Sequence, residues 1–253
     1  MIFSTDSGGA GEAVLLVHAI GCDHRMWDAL AADLAPRFRV VRMDVRGHGR
    51  SEVTPRPYSL GQLADDARGV LDERGIDKAH WVGLSMGGMI GQAFAIGHAG
   101  RLGRLVLANT TSSYGAEGAK MWEARAKAVA EGGMAAITDL AMTRYFSEEF
   151  RAARPGAVDA VKRRFLATAP QGYIGCCDAI RDLDFTRSLA KIRARTLVIA
   201  GEKDAGTPVA MSEAIAANIP GARLAVIPGA AHLSAVENPA AFNALARGFL
   251  EAP

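Results

Sequence analysis

A serine between glycines stands in the stretch WVGLSMGGMIGQ at positions 81–92, where GLSMG at 83–87 fits the pattern Gly-x-Ser-x-Gly. The apolar run 79–82 before it is typical of a buried strand, and the small and apolar residues 86–95 after it are typical of a helix. A serine on the sharp turn between a strand and a helix is the arrangement of an exposed nucleophile. The pattern also occurs in glycine-rich turns with an ordinary surface serine. Ser85 therefore predicts nucleophilic catalysis only if the chain also provides a base and an acid.

Two further side chains follow predicted strands and fit the roles of base and acid. His232 lies in the small-residue loop GAAHL after the last apolar strand, where it can reach the carboxyl edge of a sheet. Asp204 follows the strand 195–200 in the turn GEKD. Glu202 competes for the same role, but it lies nearer the strand and we expect it to face solvent. The chain order Ser85, Asp204, His232 matches that of catalytic triads on open, mostly parallel sheets.

Backbone N–H groups are the expected donors to the negative oxygen that forms during acyl transfer. One would be the N–H of Met86, directly after the serine. The other would be the N–H of Ile20, in the loop that follows the apolar run 13–17. Each such donor can contribute about 3 kcal/mol to transition-state stabilisation.

The elements that must position these residues alternate along the chain. Apolar strands and amphipathic helices follow one another, which predicts an α/β fold with a mostly parallel, doubly wound sheet. In the middle of the chain the apolar residues recur only at helical spacing, and no strand-like run appears. We therefore expect a core formed by residues 1–114 and 190–253, and an inserted all-helical cap subdomain formed by residues 115–189.

Composition excludes several classes of function. The chain has 253 residues, and its 29 Lys and Arg against 27 Asp and Glu give a net charge of only +2. This balance argues against a nucleic-acid partner and against binding to an anionic membrane surface. The three cysteines, Cys22, Cys176 and Cys177, show no metal-ligand spacing and are expected to be reduced. With no signal peptide and no membrane span in the pattern, we expect a soluble, cytoplasmic protein.

Taken together, these motifs resemble those of the α/β-hydrolase superfamily, and within it those of the 3-oxoadipate enol-lactonases of aromatic degradation. The superfamily features are the strand and loop at 14–21, DVRGHGRS at 44–51, and the turns that carry Ser85, Asp204 and His232. Several longer stretches resemble the enol-lactonases in their amino-acid sequence. They are GCDHRMW at 21–27, GLSMGGMIGQ at 83–92, RLVLANT at 104–110, WEARAKAVAEGGM at 122–134, GYIGCCDAIRDLD at 172–184 and AHLSAVENPAAFN at 231–243.

The resemblance implies a reaction and a partner. Ser85 would attack the carbonyl of 3-oxoadipate enol-lactone and form an acyl-enzyme, which water would then hydrolyse to 3-oxoadipate in the β-ketoadipate pathway. The partner is thus a small-molecule lactone, and no metal or organic cofactor is implied. Because this lactone carries a carboxylate, cations or other donors should line its pocket. The candidates are Trp122, Arg125 and Arg144 in the cap and His24 beside the oxyanion loop.

Two features depart from the superfamily pattern. His18-Ala19 stands where His-Gly is usual. If position 19 required a positive φ, Ala19 would strain the loop or shift the Ile20 amide. In addition, residues 1–11 provide at most one strand where relatives open with a hairpin, which indicates either a trimmed sheet edge or a start codon placed too late.

Besides a carbon–carbon-bond hydrolase, two other functions stay open on these residues. A small carboxylesterase or perhydrolase-like enzyme of broader ester specificity would share the triad but lack a pocket for a carboxylate. A receptor-like protein of the same fold would bind a ligand without turning it over, and an intact serine, acid and histidine argue against it. No feature of the sequence indicates the oligomeric state.

Overall fold

The computed structural model describes residues 1–252, so the end of the predicted core at residue 253 lies outside the described residues. Its strands are β1 Ser4–Asp6, β2 Ala13–Val17, β3 Arg39–Met43, β4 Ala79–Leu84, β5 Leu102–Ala108, β6 Thr196–Gly201 and β7 Arg223–Ile227. They form one sheet in the order β1-β3-β2-β4-β5-β6-β7, in which only β1 runs antiparallel to its neighbour. The predicted α/β fold with a mostly parallel sheet is confirmed.

Helices cover both faces of this sheet and fill the long segment between β5 and β6. They are α1 Asp28–Leu34, α2 Leu60–Glu73, α3 Met86–Gly97, α4 Gly115–Gly132, α5 Ala135–Tyr145, α6 Glu148–Ala153, α7 Pro155–Leu166, α8 Pro170–Arg181, α9 Val209–Asn218, α10 Ser234–Glu237 and α11 Pro239–Glu251. Helices α4 to α8 lie in the segment expected to form the cap, which we call the cap segment. Among residues 1–252, no helix is long and apolar enough to cross a membrane.

Local sequence explains most element boundaries. Strands β2 and β4 are buried along their whole length, as strands of a parallel sheet covered on both faces should be. Helix α2 begins after Ser59, whose hydroxyl accepts the Gln62 N–H at 3.2 Å, and ends just before Gly75, which has φ 62. Residues 24–27 form a 3-10 turn, and α1 follows it directly from Asp28.

The order of the strands determines where a site can form. From β2 the chain crosses to β3 on one side, and it then returns to place β4 on the other side of β2. Val17 at the end of β2 pairs with Gly83 near the end of β4. The carboxyl ends of β2 and β4 therefore flank a topological switch point, where open α/β sheets bind their ligands.

The loop after β3 is held by a buried aspartate. Asp44 Oδ1 accepts the His24 N–H at 2.7 Å, and Oδ2 accepts the Arg50 N–H at 2.9 Å. The Ser51 hydroxyl donates to the Asp44 carbonyl at 2.6 Å. Burial alone would raise the pKa of Asp44, but the hydrogen bonds from His24 and from the Arg50 N–H lower it to about 2. Asp44 thus braces this loop as a carboxylate.

Asp44 is expected to make the folded state sensitive to acid. Its folded pKa of about 2 lies below the ordinary value of 3.8, so protons bind the unfolded chain first as the pH falls. The stabilisation is complete above about pH 4 and is lost as the pH falls through the folded pKa. Between pH 5 and pH 2 the native protein should lose about 2 kcal/mol more stability than Asp44→Asn, measured by urea unfolding. Equal losses in both proteins would contradict this assignment.

Candidate active site

Ser85 sits on a strained turn directly after β4. Its backbone has φ 56 and ψ −116, a conformation that costs a non-glycine residue about 1–3 kcal/mol. A Cβ at Gly83 would lie 2.1 Å from the Gly87 carbonyl oxygen, and one at Gly87 would lie 2.0 Å from the Val17 carbonyl oxygen. The Ser85 N–H donates to the Ala108 carbonyl at 2.8 Å. The glycines and the neighbouring strands therefore hold the serine at the carboxyl edge of the sheet.

The structure brings the three predicted catalytic side chains together. His232 Nε2 lies 2.9 Å from Ser85 Oγ, and His232 Nδ1 lies 2.8 Å from Asp204 Oδ2. Ser85 and Asp204 are each 4% exposed and His232 is 6% exposed, so the chain of hydrogen bonds is shielded from water. The geometry is that of a nucleophile, a base and a group that orients the base.

Asp204 is held as a carboxylate by several donors. Its Oδ1 accepts the N–H groups of Gly206 at 2.8 Å and Thr207 at 2.9 Å. Its Oδ2 also accepts from the Thr207 hydroxyl at 2.7 Å and from Asn109 Nδ2 at 2.9 Å. Burial would raise the pKa of Asp204, but the charge and hydrogen bond of His232 and these donors lower it to about 2. Nδ1 of His232 therefore carries the proton, which leaves Nε2 free to accept from Ser85.

Two partners of Asp204, Asn109 and Thr207, were not predicted from the sequence. Asn109 follows β5 directly, adopts φ 46, and accepts the Ser234 hydroxyl through its Oδ1 at 2.5 Å. The signal that marks Asn109 in the sequence is a polar residue at the carboxyl end of a buried strand. Glu202, the competing acid, is exposed, and its carboxylate accepts the Gly229 N–H at 2.7 Å.

Ala19 is compatible with the loop after β2. Among residues 1–252, the non-glycine residues with a positive φ are Ser85 and Asn109. In this loop the positive φ falls on Gly21, at 70°, and not on residue 19. The strain considered for Ala19 therefore does not arise.

Two buried histidines hold this loop in place. His18 Nε2 accepts the Val45 N–H at 2.8 Å, so its Nδ1–H donates to the Ala19 carbonyl at 2.8 Å. His48 Nε2 accepts the Gly21 N–H at 2.9 Å. Burial lowers the pKa of His48 to about 3, which keeps its ring neutral and able to accept. Both rings act as fixed hydrogen-bonding groups for the loop.

Tyr145 fixes the same loop from the side of the cap segment. Its hydroxyl donates to the Ile20 carbonyl at 2.5 Å, and its ring stacks on His232 with centroids 5.8 Å apart. Among residues 1–252, no hydrogen bond uses the N–H of Ile20 or of Met86 as its donor. Both amides are thus available to an oxyanion beside Ser85.

A cavity of about 20 Å³ lies beside Ser85 and His232. Of the four residues expected to bind substrate, Trp122, Arg125 and Arg144 line this cavity. His24 does not, because its ring lies 2.8 Å from Asp44 and faces a separate surface cavity. The expectation that His24 contacts the substrate is therefore replaced by a role in bracing the loop after β3.

Trp122 and Arg125, one turn apart on α4, present unused donors in the wall of this cavity. Trp122 Nε1 and Arg125 Nε and Nη2 are buried without a hydrogen-bond partner. The Arg125 guanidinium carbon lies 5.2 Å from the Trp122 ring centroid and 6.0 Å from that of Tyr173. Within residues 1–252, no carboxylate forms an ion pair with Arg125. Because unpaired buried donors are costly, this wall is suited to a ligand carboxylate.

One cluster outside this cavity contains groups that metals bind. Ligand atoms of Asp23, His24 and Asp44 lie within 4.8 Å of one another. Asp23, however, forms an ion pair with Arg25 at 2.5 Å, and both Asp44 oxygens accept N–H groups. The cluster is already satisfied as a structural network, and we assign no metal to it.

The sheet, the turn that carries Ser85, and the hydrogen bonds that join Ser85 to His232 and His232 to Asp204 define a class of protein. The chain belongs to the α/β-hydrolase family, whose model, described as an alpha/beta hydrolase fold, matches residues 12–239.

Individual members of this family show which hydrolases the chain is similar to. The chain is 35% identical over 231 residues to 3-oxoadipate enol-lactonase 2 of Acinetobacter baylyi, covering 91% of this chain and 85% of that protein. The crystal structure of the enol-lactonase from Burkholderia xenovorans LB400 superimposes with a TM-score of 0.96 at 33% identity, covering 99% of this chain and 96% of that one. A malate-bound thermophilic esterase from Thermogutta terrifontis gives a TM-score of 0.93 at 31% identity, covering 98% and 92%.

Proposed function

We propose that this protein is a serine hydrolase that opens the lactone ring of 3-oxoadipate enol-lactone. The observation that carries the proposal is the set of unpaired donors on Trp122 and Arg125 in the same cavity as Ser85. One ligand can then place its carboxylate at Arg125 and its ring carbonyl at the serine. The likeness to enol-lactonases supports this substrate, and an enzyme with this activity would act in the β-ketoadipate pathway.

In the proposed acylation step, Ser85 Oγ attacks the lactone carbonyl carbon and its proton passes to His232 Nε2. The N–H groups of Ile20 and Met86 donate to the oxygen that becomes negative. Asp204 stabilises the imidazolium that forms. No group outside these residues is needed for the step.

The tetrahedral intermediate then loses its ring oxygen. The bond between the carbonyl carbon and this oxygen breaks, and the oxygen leaves as an enol after taking the proton from His232. An enol is a better leaving group than an aliphatic alcohol, and its conversion to the ketone makes ring opening hard to reverse. Water, deprotonated by His232, attacks the acyl-enzyme on Ser85 and releases 3-oxoadipate.

Two lactones that differ in one carboxylate test the proposal. α-Angelica lactone has the same ring, with a methyl group in place of the carboxymethyl group. Arg125→Met should lower kcat/KM for the enol-lactone about 10- to 100-fold, because a hydrogen bond to a charged group contributes about 1.5–3 kcal/mol. The rate with α-angelica lactone should stay within about threefold, because a neutral ring uses no charged hydrogen bond. Loss of ultraviolet absorbance measures both reactions.

Arg163, which is exposed on α7, provides the matched control. Arg163→Met removes the same charge from the cap segment and should leave both rates as in the native protein. Rapid turnover of p-nitrophenyl acetate without turnover of the enol-lactone would show an esterase of broader specificity instead. Turnover of no ester would favour a binding role.

A further inference from the structure

The cavity beside Ser85 is too small for the proposed substrate. Its volume of about 20 Å³ leaves room for about one water molecule, whereas a lactone with a carboxymethyl group is much larger. Part of its wall must therefore move whenever substrate enters.

A larger cavity of about 290 Å³ adjoins the inner one at the edge of the cap segment. Arg144 lines both cavities. Gly206 and His232 of the inner cavity are next in sequence to Ala205 and Ala231 of the outer one. Arg144 is thus part of the partition between the two spaces.

Arg144 is weakly anchored in this position. It lies in the last turn of α5, and its Nη2 contacts Met121 Sδ at 3.4 Å. A thioether is a weak acceptor, so this contact holds the guanidinium loosely. Within residues 1–252, no carboxylate forms an ion pair with Arg144. The side chain can therefore leave its position without breaking a salt bridge.

The outer cavity is suited to anions. Lys203 forms an ion pair there with Glu149 at 2.5 Å, and Glu148 is the other carboxylate in the lining. Arg144 and Arg151 add two further cations, and Arg151 Nε is buried without a hydrogen-bond partner. Because Lys203 is paired with Glu149, Arg144 and Arg151 are the cations of this lining that can receive a ligand carboxylate.

Cations continue inward from this cavity, because Arg125 and Arg144 both line the inner one beside Tyr114. A carboxylate that leaves Arg144 can next pair with Arg125.

We propose that Arg144 is a gate that selects substrates by charge. A substrate carboxylate entering the outer cavity pairs with Arg144 and draws the guanidinium away from Met121, which opens the path to Arg125 and Ser85. The identity of the substrate rests on the function proposed above, whereas the preference for a negative charge rests on the arginines themselves.

The test compares the enol-lactone with neutral α-angelica lactone at low and high salt. In Arg144→Ala, the ratio of kcat/KM for the anionic lactone to that for the neutral one should fall about tenfold at low salt. Arg144→Lys should restore most of the ratio. In the native protein salt should lower this ratio, and in Arg144→Ala the salt effect should largely disappear, because exposed charges are screened. A purely structural role would instead lower both rates together.

An unchanged ratio with unchanged salt dependence in Arg144→Ala would overturn the gate. So would an equal fall in Arg163→Ala, since the effect would then belong to the overall charge of the cap segment. If the native protein does not open the enol-lactone, the proposed function fails. The gate is then judged by the same ratio for monomethyl glutarate and methyl pentanoate, two esters that differ in one carboxylate.

Discussion

Ser85→Ala is expected to abolish enol-lactone turnover and to leave the fold intact. The Ser85 hydroxyl lies 2.9 Å from His232 Nε2, and a methyl group in its place has no oxygen to attack the carbonyl. Loss of a nucleophilic serine from a triad of this kind costs about 10⁶-fold in kcat. Alanine meets the same backbone strain as serine at φ 56, so the melting temperature should change little. Steady-state assays and thermal unfolding measure the two effects.

Ser188 provides a matched serine for comparison. It lies in the 3-10 turn Thr186–Lys191, outside the lining of the Ser85 cavity. Ser188→Ala should keep native kcat and KM. Activity near the native level in Ser85→Ala would place the nucleophile elsewhere and withdraw the mechanism.

Asp204→Asn is expected to lower kcat by about 10⁴-fold with little change in KM. The carboxylate accepts the Nδ1 proton of His232 at 2.8 Å, whereas an asparagine amide group would present N–H to the ring. The ring would then carry its proton on Nε2 and could no longer accept from Ser85. The donors of Asn109 and Thr207 would face an amide in place of a carboxylate, so a modest loss of stability should accompany the loss of rate.

Glu202→Gln is the matched control for this variant, because it neutralises the other acid of the same turn. Glu202 is exposed and accepts the Gly229 N–H, so its loss should leave kcat within about twofold, as is usual for surface substitutions. The opposite pattern, with Glu202→Gln inactive and Asp204→Asn active, would move the acid to Glu202. Measuring both variants with α-angelica lactone as well separates loss of chemistry from loss of carboxylate binding.

The amino-acid sequence by itself determined the fold class and the candidate triad. Hydrophobic runs and turn residues act locally, so they mark where buried strands end. Ser85 follows β4, Asp204 lies three residues beyond β6, and His232 lies in the loop after β7. Because the carboxyl ends of parallel strands share one edge of a sheet, residues that follow different strands could be expected to meet.

Only the tertiary structure decided which other side chains reach this site. Helical spacing shows which residues share a face of α4 or α5, but the placement of each helix over the sheet determines which cation enters the cavity. Arg125 and Arg144 line it, whereas the His24 ring is held by Asp44, twenty positions further along the chain. Contacts between residues far apart in sequence depend on packing that no local pattern encodes, and those contacts surround Ser85.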